Sequence, residues 1–222
     1  MKGSVFILCS VLLWGCTTDQ PESSDEPVSN NTGNTETEIT SPPEKKALIP
    51  QALFKWEMDS LIGNQRIFVQ TFVKQRSMKD LVEIYTDDDW PDEETIMAVY
   101  QLSYRPNGST QFFAERLYGM GDRDVQLTHY FDESNHTVAF EKYVKYYQNG
   151  CSEGLAQETA ITYFDGQFHE VSSEYLLTDE NENPLHGADC IRRGLQDHVI
   201  FKTYEDLAND KGTKVLYKGK PS

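Results

Sequence analysis

The stretch YFDESNHTVAFE, residues 130–141, decides the fold, because YFDGQFHEVSSE at residues 163–174 repeats it 33 positions later (163 minus 130). The two copies share Tyr, Phe, Asp, His, Val and Glu at equivalent positions. A fainter third copy, YRPNGSTQFFAE at residues 104–115, keeps the Tyr, a turn, an apolar residue and the final Glu. Each copy reads as a strand, a three-residue loop and a returning strand, so the sequence predicts successive β-hairpins.

Both full copies place a carboxylate and an imidazole on opposite sides of the loop. Asp132 faces His136 in the first copy, and Asp165 faces His169 in the second. A cross-strand pair stabilises a hairpin by roughly 0.2 to 1 kcal/mol. A carboxylate also fixes the tautomer of an imidazole and raises its pKa, so these pairs are candidates for acid/base or metal chemistry. Their repetition at matching places favours the stabilising role over catalysis.

Alternating aromatic and β-branched residues extend the strand prediction to most of residues 47–222. The clearest runs are RIFVQTFV from Arg66, TIMAVYQLSY from Thr95 and TVAFEKYVKYY from Thr137. In the last run, a period of two predicts one shared face for Val138, Phe140, Val144 and Tyr146. Turn residues separate the runs, and TYEDLANDKG from Thr203 is the single helix candidate. The predicted fold class is mainly β: an antiparallel sheet of successive hairpins with at most one short helix.

The N-terminus has the layout of an export signal. Lys2 precedes an uncharged run from Val5 to Trp14, which is too short for a spanning helix of about 20 residues. Leu13, Gly15 and Cys16 resemble the lipobox of bacterial lipoproteins, although Trp14 is bulkier than the usual occupant. The resemblance covers residues 1–16 and implies a signal peptide over residues 1–15, a lipid-modified Cys16 with palmitate-type acyl chains, and location in the outer membrane. It implies nothing about the fold or activity of the remainder.

Residues 16–46 form a predicted tether. The segment after Cys16 is rich in Ser, Thr, Pro, Glu and Asn and has almost no core-forming residue, which is typical of disorder. Thirty flexible residues span about 30 Å on average. By resemblance to the lipoprotein sorting rule, Thr17 after the anchor implies the outer membrane, and the acidic group that begins at Ser24 resembles a cell-surface signal. The sequence leaves both the cell surface and the periplasmic face open.

Residues 47–222 are predicted to form a single domain. It holds 29 acidic residues (36 minus 7 in the tether) and 17 basic ones (20 minus Lys2, Lys45 and Lys46), a net charge of −12. Nucleic acid is not an expected partner, since phosphate binding needs a basic surface. In an exported protein Cys151 and Cys190 form a predicted disulfide, with two buried thiols as the alternative. No zinc-like ligand spacing occurs, and neither a metal nor a cofactor is predicted.

Known catalytic motifs are absent from the sequence: it has no GxSxG, HExxH, P-loop, SxxK or CxxC pattern. The acidic runs at residues 86–94 and 178–183 lack calcium-loop spacing and are expected to be solvated loops. Aromatic residues are the more suggestive feature, because they form either an exposed stacking platform for sugars or part of the buried core. The candidates for such a platform are Trp56, Trp90, Tyr143, Tyr146 and Tyr147.

These observations favour a binding or assembly module of the cell envelope over an enzyme. Its expected partners are membrane lipid, through acylated Cys16, and an envelope protein or glycan. A polysaccharide-active hydrolase and a proteinaceous hydrolase inhibitor are the alternatives. A cleft with two close carboxylates would favour the hydrolase, and an open sheet face would favour the binding module.

Overall fold

The computed structural model describes residues 49–186, 191 and 198–213. The predicted signal peptide, Cys16, the predicted tether and Cys190 lie outside these residues. The elements are α1 (Pro50–Gly63), β1 (Gln70–Gln75), β2 (Val82–Ile84), β3 (Ile96–Tyr104), β4 (Thr110–Leu117), β5 (Arg123–Phe131), β6 (Thr137–Tyr146), β7 (Ala156–Phe164), β8 (Glu170–Asp179) and α2 (Tyr204–Lys211). Two short 3₁₀ turns, Asp87–Asp89 and Glu93–Thr95, lie between β2 and β3.

The eight strands form one open antiparallel sheet in the order β2-β1-β3-β4-β5-β6-β7-β8. From β3 onward each strand pairs with the next one in the chain. This arrangement confirms the predicted class, a mainly β fold built from successive hairpins. Neither helix in the part of the chain that the structure describes is long and apolar enough to cross a membrane.

The predicted hairpin loop occurs four times with the same backbone geometry. In each loop the first residue donates its N–H to the carbonyl of the fifth, over residues 105–109, 132–136, 165–169 and 179–183. The fourth residue has a left-handed backbone, with φ of +88° at Gly108, +61° at Asn135, +70° at Phe168 and +64° at Glu182. Three-residue hairpin loops need this conformation to return the chain to the sheet. The repeated sequence therefore encodes a repeated turn.

Helices α1 and α2 cover opposite faces of the sheet, called here the α1 face and the α2 face. On the α1 face, Ala52 and Met58 of the helix pack on Phe112, Ala114, Tyr130, Ala139 and Tyr163. On the α2 face, Leu207 packs on Phe72, Tyr100, Leu102, Phe113 and Phe131. The α2 face continues as a second apolar cluster that includes Val125, Leu127, Phe140, Val144 and Tyr146. Each helix therefore covers only part of its face.

The short helix α2 was predicted, whereas the longer α1 was not. Thr203 caps α2 by accepting the N–H of Asp206, and Gly212 ends the helix with a left-handed φ of +73°. In α1 the usual polarity of the two sides is mixed: Lys55 points toward the sheet and is 8% exposed, while Trp56 points outward and is 64% exposed. This mixing hides the helical period in the sequence.

A bulge corrects the predicted face of Val138. The pairing of β5 with β6 shifts between Tyr130 and Phe131, so that one extra residue enters β6 before Ala139. Val138 consequently packs against the cluster under α1, while Phe140, Val144 and Tyr146 lie in the apolar cluster of the α2 face. A one-residue bulge moves every earlier side chain to the other face of a strand.

Candidate functional site

Each Asp–His pair lies beside its hairpin loop and is partly exposed. The Oδ2 atom of Asp132 is 3.9 Å from Nδ1 of His136, and Oδ2 of Asp165 is 3.3 Å from Nδ1 of His169. The other carboxylate oxygen of each Asp accepts two backbone N–H groups of its own loop, at 2.8 to 2.9 Å. The Asp side chain thus closes the turn by itself.

A fourth loop separates the role of the Asp from that of the His. Oδ1 of Asp179 accepts the N–H groups of Asn181 and Asn183 in the same way, although no histidine is present in that loop. The N–H of His169 holds the pKa of Asp165 below its usual range, and the Asn183 amide does the same for Asp179. Hydrogen bonds to the ionised form explain both shifts. This geometry favours the turn-stabilising role of the Asp–His pairs.

The five aromatic candidates lie at four separate places. Trp56 is on the outer side of α1, Trp90 packs near Val73 and Val99, and Tyr146 donates a hydrogen bond of 2.9 Å to Glu158 on the α2 face. Of the five, only Tyr143 and Tyr147 share a surface, on the side of β6 opposite Tyr146. Side chains alternate between faces along a strand, which explains this separation.

Tyr143 and Tyr147 belong to the part of the α1 face that α1 leaves open. Two adjacent rows of side chains cross the strands there, as the strand register shows. We call this surface the tyrosine platform. Its first row consists of Arg116, Gln126, Tyr143, Thr159 and Leu176, and its second row consists of Asp124, Lys145 and Gln157. Tyr147, two residues after Lys145, extends the platform beyond the second row. Every member is exposed or half-buried. With strands about 4.8 Å apart, the first row is about 19 Å long.

The platform has two clear boundaries. On one side the buried ammonium of Lys55 in α1 lies 2.5 Å from Glu141 of β6, which is the next residue along β6 on this face. This pair, together with a 2.7 Å bond from Lys55 to Asp59, raises the pKa of Lys55 against the opposing effect of burial. On the β3 side, Trp90 and Tyr118 cover Val99. The platform is open between these limits.

Hydrogen bonds fix the polar groups of the platform. The Tyr147 hydroxyl donates to Oδ2 of Asp124 at 2.7 Å, and Arg116 donates to the same oxygen at 3.1 Å. The Tyr143 hydroxyl donates to Oε1 of Gln157. The bond to Asp124 raises the pKa of Tyr147, and burial raises that of Tyr143 to about 12. Both phenols are therefore protonated at neutral pH, with their rings held in place.

The charge of the platform differs from that of the whole chain. Arg116 and Lys145 bring two positive charges and Asp124 one negative charge, whereas the chain has a net charge of −16. The Lys145 ammonium lies 5.8 Å from the centre of the Tyr143 ring, a cation–π distance, and makes no ion pair within the described residues. A shallow groove of about 440 Å³, lined by Thr159, Ile161, Glu174, Tyr175 and Leu176, adjoins the platform at β8.

A second polar cluster lies under α2 and was not predicted. Oε2 of Glu115 is 2.8 Å from the ammonium of Lys211, and Nε2 of His129 accepts the N–H of Phe201 at 3.2 Å. Burial, with a smaller contribution from Lys211, lowers the pKa of His129 to about 3. The cavity beside these groups is only about 120 Å³. These contacts hold α2 and residues 198–201 on the sheet, and we assign them a structural role.

The remaining predicted sites fall partly or wholly outside the described residues. Cys151 is half-buried against the apolar cluster of the α2 face and is disulfide-bonded. Cys190 and Cys16 are not among the residues that the structure describes, so the Cys151–Cys190 pairing and lipidation of Cys16 stay predictions. Within residues 49–186, 191 and 198–213, no three His, Cys, Asp or Glu side chains are grouped as metal ligands.

Comparisons of the chain with protein families, with curated proteins and with solved structures find no match. The site must accordingly be interpreted from its own geometry. One signal for the platform was present in TVAFEKYVKYY, where Glu141, Tyr143, Lys145 and Tyr147 fall at every second position. The contributions from β4, β5 and β7 had no such signal, because they depend on the pairing register.

Proposed function

We propose that this protein is an exported, lipid-anchored binding module of the bacterial cell envelope, attached to the outer membrane through acylated Cys16. The tether carries the domain away from the lipid, and the tyrosine platform contacts the partner. The observation that carries the proposal is the part of the α1 face that α1 leaves open, where aromatic and polar groups are accessible across five strands. A binding surface of this form needs no enclosing cleft.

The composition of the platform suits recognition. Tyrosine and arginine are enriched at protein interfaces and among the few residues that dominate the binding energy. The rings of Tyr143 and Tyr147 are oriented by Gln157 and Asp124, so little conformational entropy is lost when a partner binds. Repulsion between an acidic domain and an anionic lipid surface would also keep the domain available to a partner beyond the headgroups.

The attachment is tested by growing cells with labelled palmitate. We expect the label in the mature chain and its loss in the Cys16→Ser variant, which should move to the aqueous phase of a detergent separation. An unlabelled wild-type chain in the aqueous phase would contradict the anchor. Protease added to intact cells would then distinguish the two faces of the outer membrane: digestion indicates the cell surface, and protection indicates the periplasmic face.

The binding role is tested by capture from detergent-solubilised envelope with the full tagged chain. We expect a partner that is recovered by the wild type and lost with the double variant Tyr147→Ala/Lys145→Ala. Tyr85→Ala is the matched control, because Tyr85 is 76% exposed and bonds to Glu83 outside the platform. Equal recovery with the double variant would contradict the platform as the binding surface. Hydrolysis of a polysaccharide by the wild type would replace this proposal with the hydrolase.

A further inference from the structure

We propose that the tyrosine platform binds a neutral polysaccharide, extended across the strands over its two rows and Tyr147. This inference rests on the proposed function and specifies the ligand. Pyranose rings present an apolar face of C–H groups and an edge of hydroxyls. A surface that recognises them therefore needs an aromatic ring beside several fixed donors and acceptors, with little net charge.

The first requirement is met at β6. Tyr147 is 56% exposed, and its hydroxyl is bonded to Asp124, so the ring is oriented with much of its surface in solvent. Tyr143 is half-buried and has the Lys145 ammonium 5.8 Å from its ring centre, so Tyr147 is the ring available for stacking. An aromatic ring held by a hydrogen bond at its polar end leaves its apolar surface for contact with a ligand.

The second requirement is met by the side chains on either side. Gln126 on β5 is exposed and stands next to Tyr143 in the register, and Arg116 on β4, also exposed, stands next to Gln126. Gln157 follows on β7, opposite Lys145, and its amide is fixed by the Tyr143 hydroxyl, which donates to Oε1, and by the Asp179 carbonyl, which accepts from Nε2. Amide and guanidinium groups carry several donors each, and the amide also accepts, which matches the paired hydroxyls of a sugar. Because neighbouring strands place these groups about 4.8 Å apart, they can contact consecutive sugar units.

Charge selects a neutral polymer over an acidic one. The platform adds only one net positive charge, from Arg116, Lys145 and Asp124, within a chain of net charge −16. A polyanion would be repelled by the surrounding field at physiological ionic strength, where charges interact over about 8 Å. A neutral chain carries no such penalty. The groove at β8 shares Thr159 and Leu176 with the end of the first row and widens the contact surface there with Ile161 and Glu174.

The test is affinity electrophoresis of the full chain in neutral detergent, in native gels that contain one soluble polysaccharide each. The neutral probes are a β-glucan, a mannan and a xylan, and the acidic probes are polygalacturonate and alginate. We expect retardation by at least one neutral polymer that persists in 0.5 M salt, a concentration at which charge attraction between exposed groups is largely screened, to about 4 Å.

Two variants locate the site. Tyr147→Ala and Gln126→Ala should each weaken retardation, with roughly a tenfold loss of affinity for Tyr147→Ala. Both side chains are exposed, so the variants should keep the wild-type melting temperature. Tyr147→Phe keeps the ring and should retain most of the binding. Tyr85→Ala, the surface control outside the platform, should bind like the wild type.

Three results would overturn the inference: no retardation by any neutral polymer, retardation by acidic polymers alone that disappears in salt, or an equal loss in Tyr85→Ala. Failure of the proposed function is distinguishable from these. If the chain captures an envelope protein through the platform but no neutral polymer retards it, the ligand class is wrong and the binding role stands. If the double variant loses no partner, the binding role of the platform is wrong as well.

Discussion

The two full copies of the repeat adopt the same turn but occupy different environments. In residues 130–141 the returning strand is the first part of β6, which lies between two strands and is packed on both faces. In residues 163–174 it is β8, the last strand of the sheet. Thr137, Ala139 and Phe140 of β6 are buried, whereas the equivalent Glu170, Ser172 and Ser173 of β8 are exposed or half-buried. The local repeat determines the turn, and neighbouring elements determine what the strand contacts.

The loops differ in the same way. Arg105 donates to the carbonyls of Phe131 and Asp132 beside the first loop, and Asn135 in that loop receives the N–H of Thr110. The N–H of Tyr204 at the start of α2 also bonds to the carbonyl of Asn135. In the second loop, Phe168 occupies the position of Asn135 and stacks on Phe164 within the same hairpin. The first loop is thus a junction of three elements, and the second is local.

The largest expected effect on stability comes from exchanging Phe140 and Ser173, which occupy equivalent positions in the two repeats. Phe140→Ser removes a ring that is 5% exposed and packs edge-on against His129 at 4.8 Å, so we expect a loss of about 4 kcal/mol in the free energy of unfolding. Ser173→Phe, at the matching exposed site, should change it by less than about 0.5 kcal/mol. Urea denaturation of both variants measures the difference. Similar losses would mean that β8 is as buried as β6.

The residue before each repeat provides the next test. His129 in β5 is buried, with a pKa of about 3, and its counterpart in β7 is Thr162, which does not ionise. An unfolded histidine titrates near pH 6.5, so between pH 6.5 and 3 the unfolded state binds more protons and the free energy of unfolding falls as pH falls. The slope from His129 is about 1.4 kcal/mol per pH unit.

Urea denaturation at pH 7, 6 and 5 measures this slope in the wild type and in His129→Gln, whose amide oxygen can still accept the N–H of Phe201. We expect the variant to lose less stability over this range. Carboxylates titrate mainly at lower pH and are common to both proteins, so the difference isolates the imidazole. Parallel curves would show that His129 binds its proton equally in the folded and unfolded states.

Particular residues show which features of the two repeats could be predicted from the sequence. Asp132, Asp165 and the left-handed positions after them define the loops locally, so the hairpins and the antiparallel sheet were predictable. The bulge at Val138 was not, because it depends on pairing with β5. The tyrosine platform was half predictable: Tyr143 and Tyr147 stand out in β6, but Arg116 and Gln126 join them only through the register of three strands.

A medium effect on stability is expected from replacing Arg105, which has no counterpart beside the second loop. Its guanidinium donates to the carbonyls of Phe131, Asp132 and Thr110 at 2.6 to 2.9 Å. Arg105→Met keeps much of the apolar stem and removes these bonds, and we expect a loss of about 1.5 kcal/mol, since water can reach some of the carbonyls. Thermal unfolding measures the loss. An unchanged melting temperature would mean that the two loops do not differ in their long-range contacts.

The smallest expected effect on stability comes from placing glycine at the left-handed position of each loop. Phe168→Gly relieves a φ of +70° but loses the stacking on Phe164 at 4.5 Å, and these terms of about 1 kcal/mol each should nearly cancel. Asn135→Gly relieves less strain, because asparagine tolerates this backbone, and it leaves the buried N–H of Thr110 without its acceptor at 2.7 Å. We expect a loss of about 1 kcal/mol in urea denaturation for Asn135→Gly. If both variants were equally stable, Asn135 would be acting only through its backbone, and the first loop would be as local as the second.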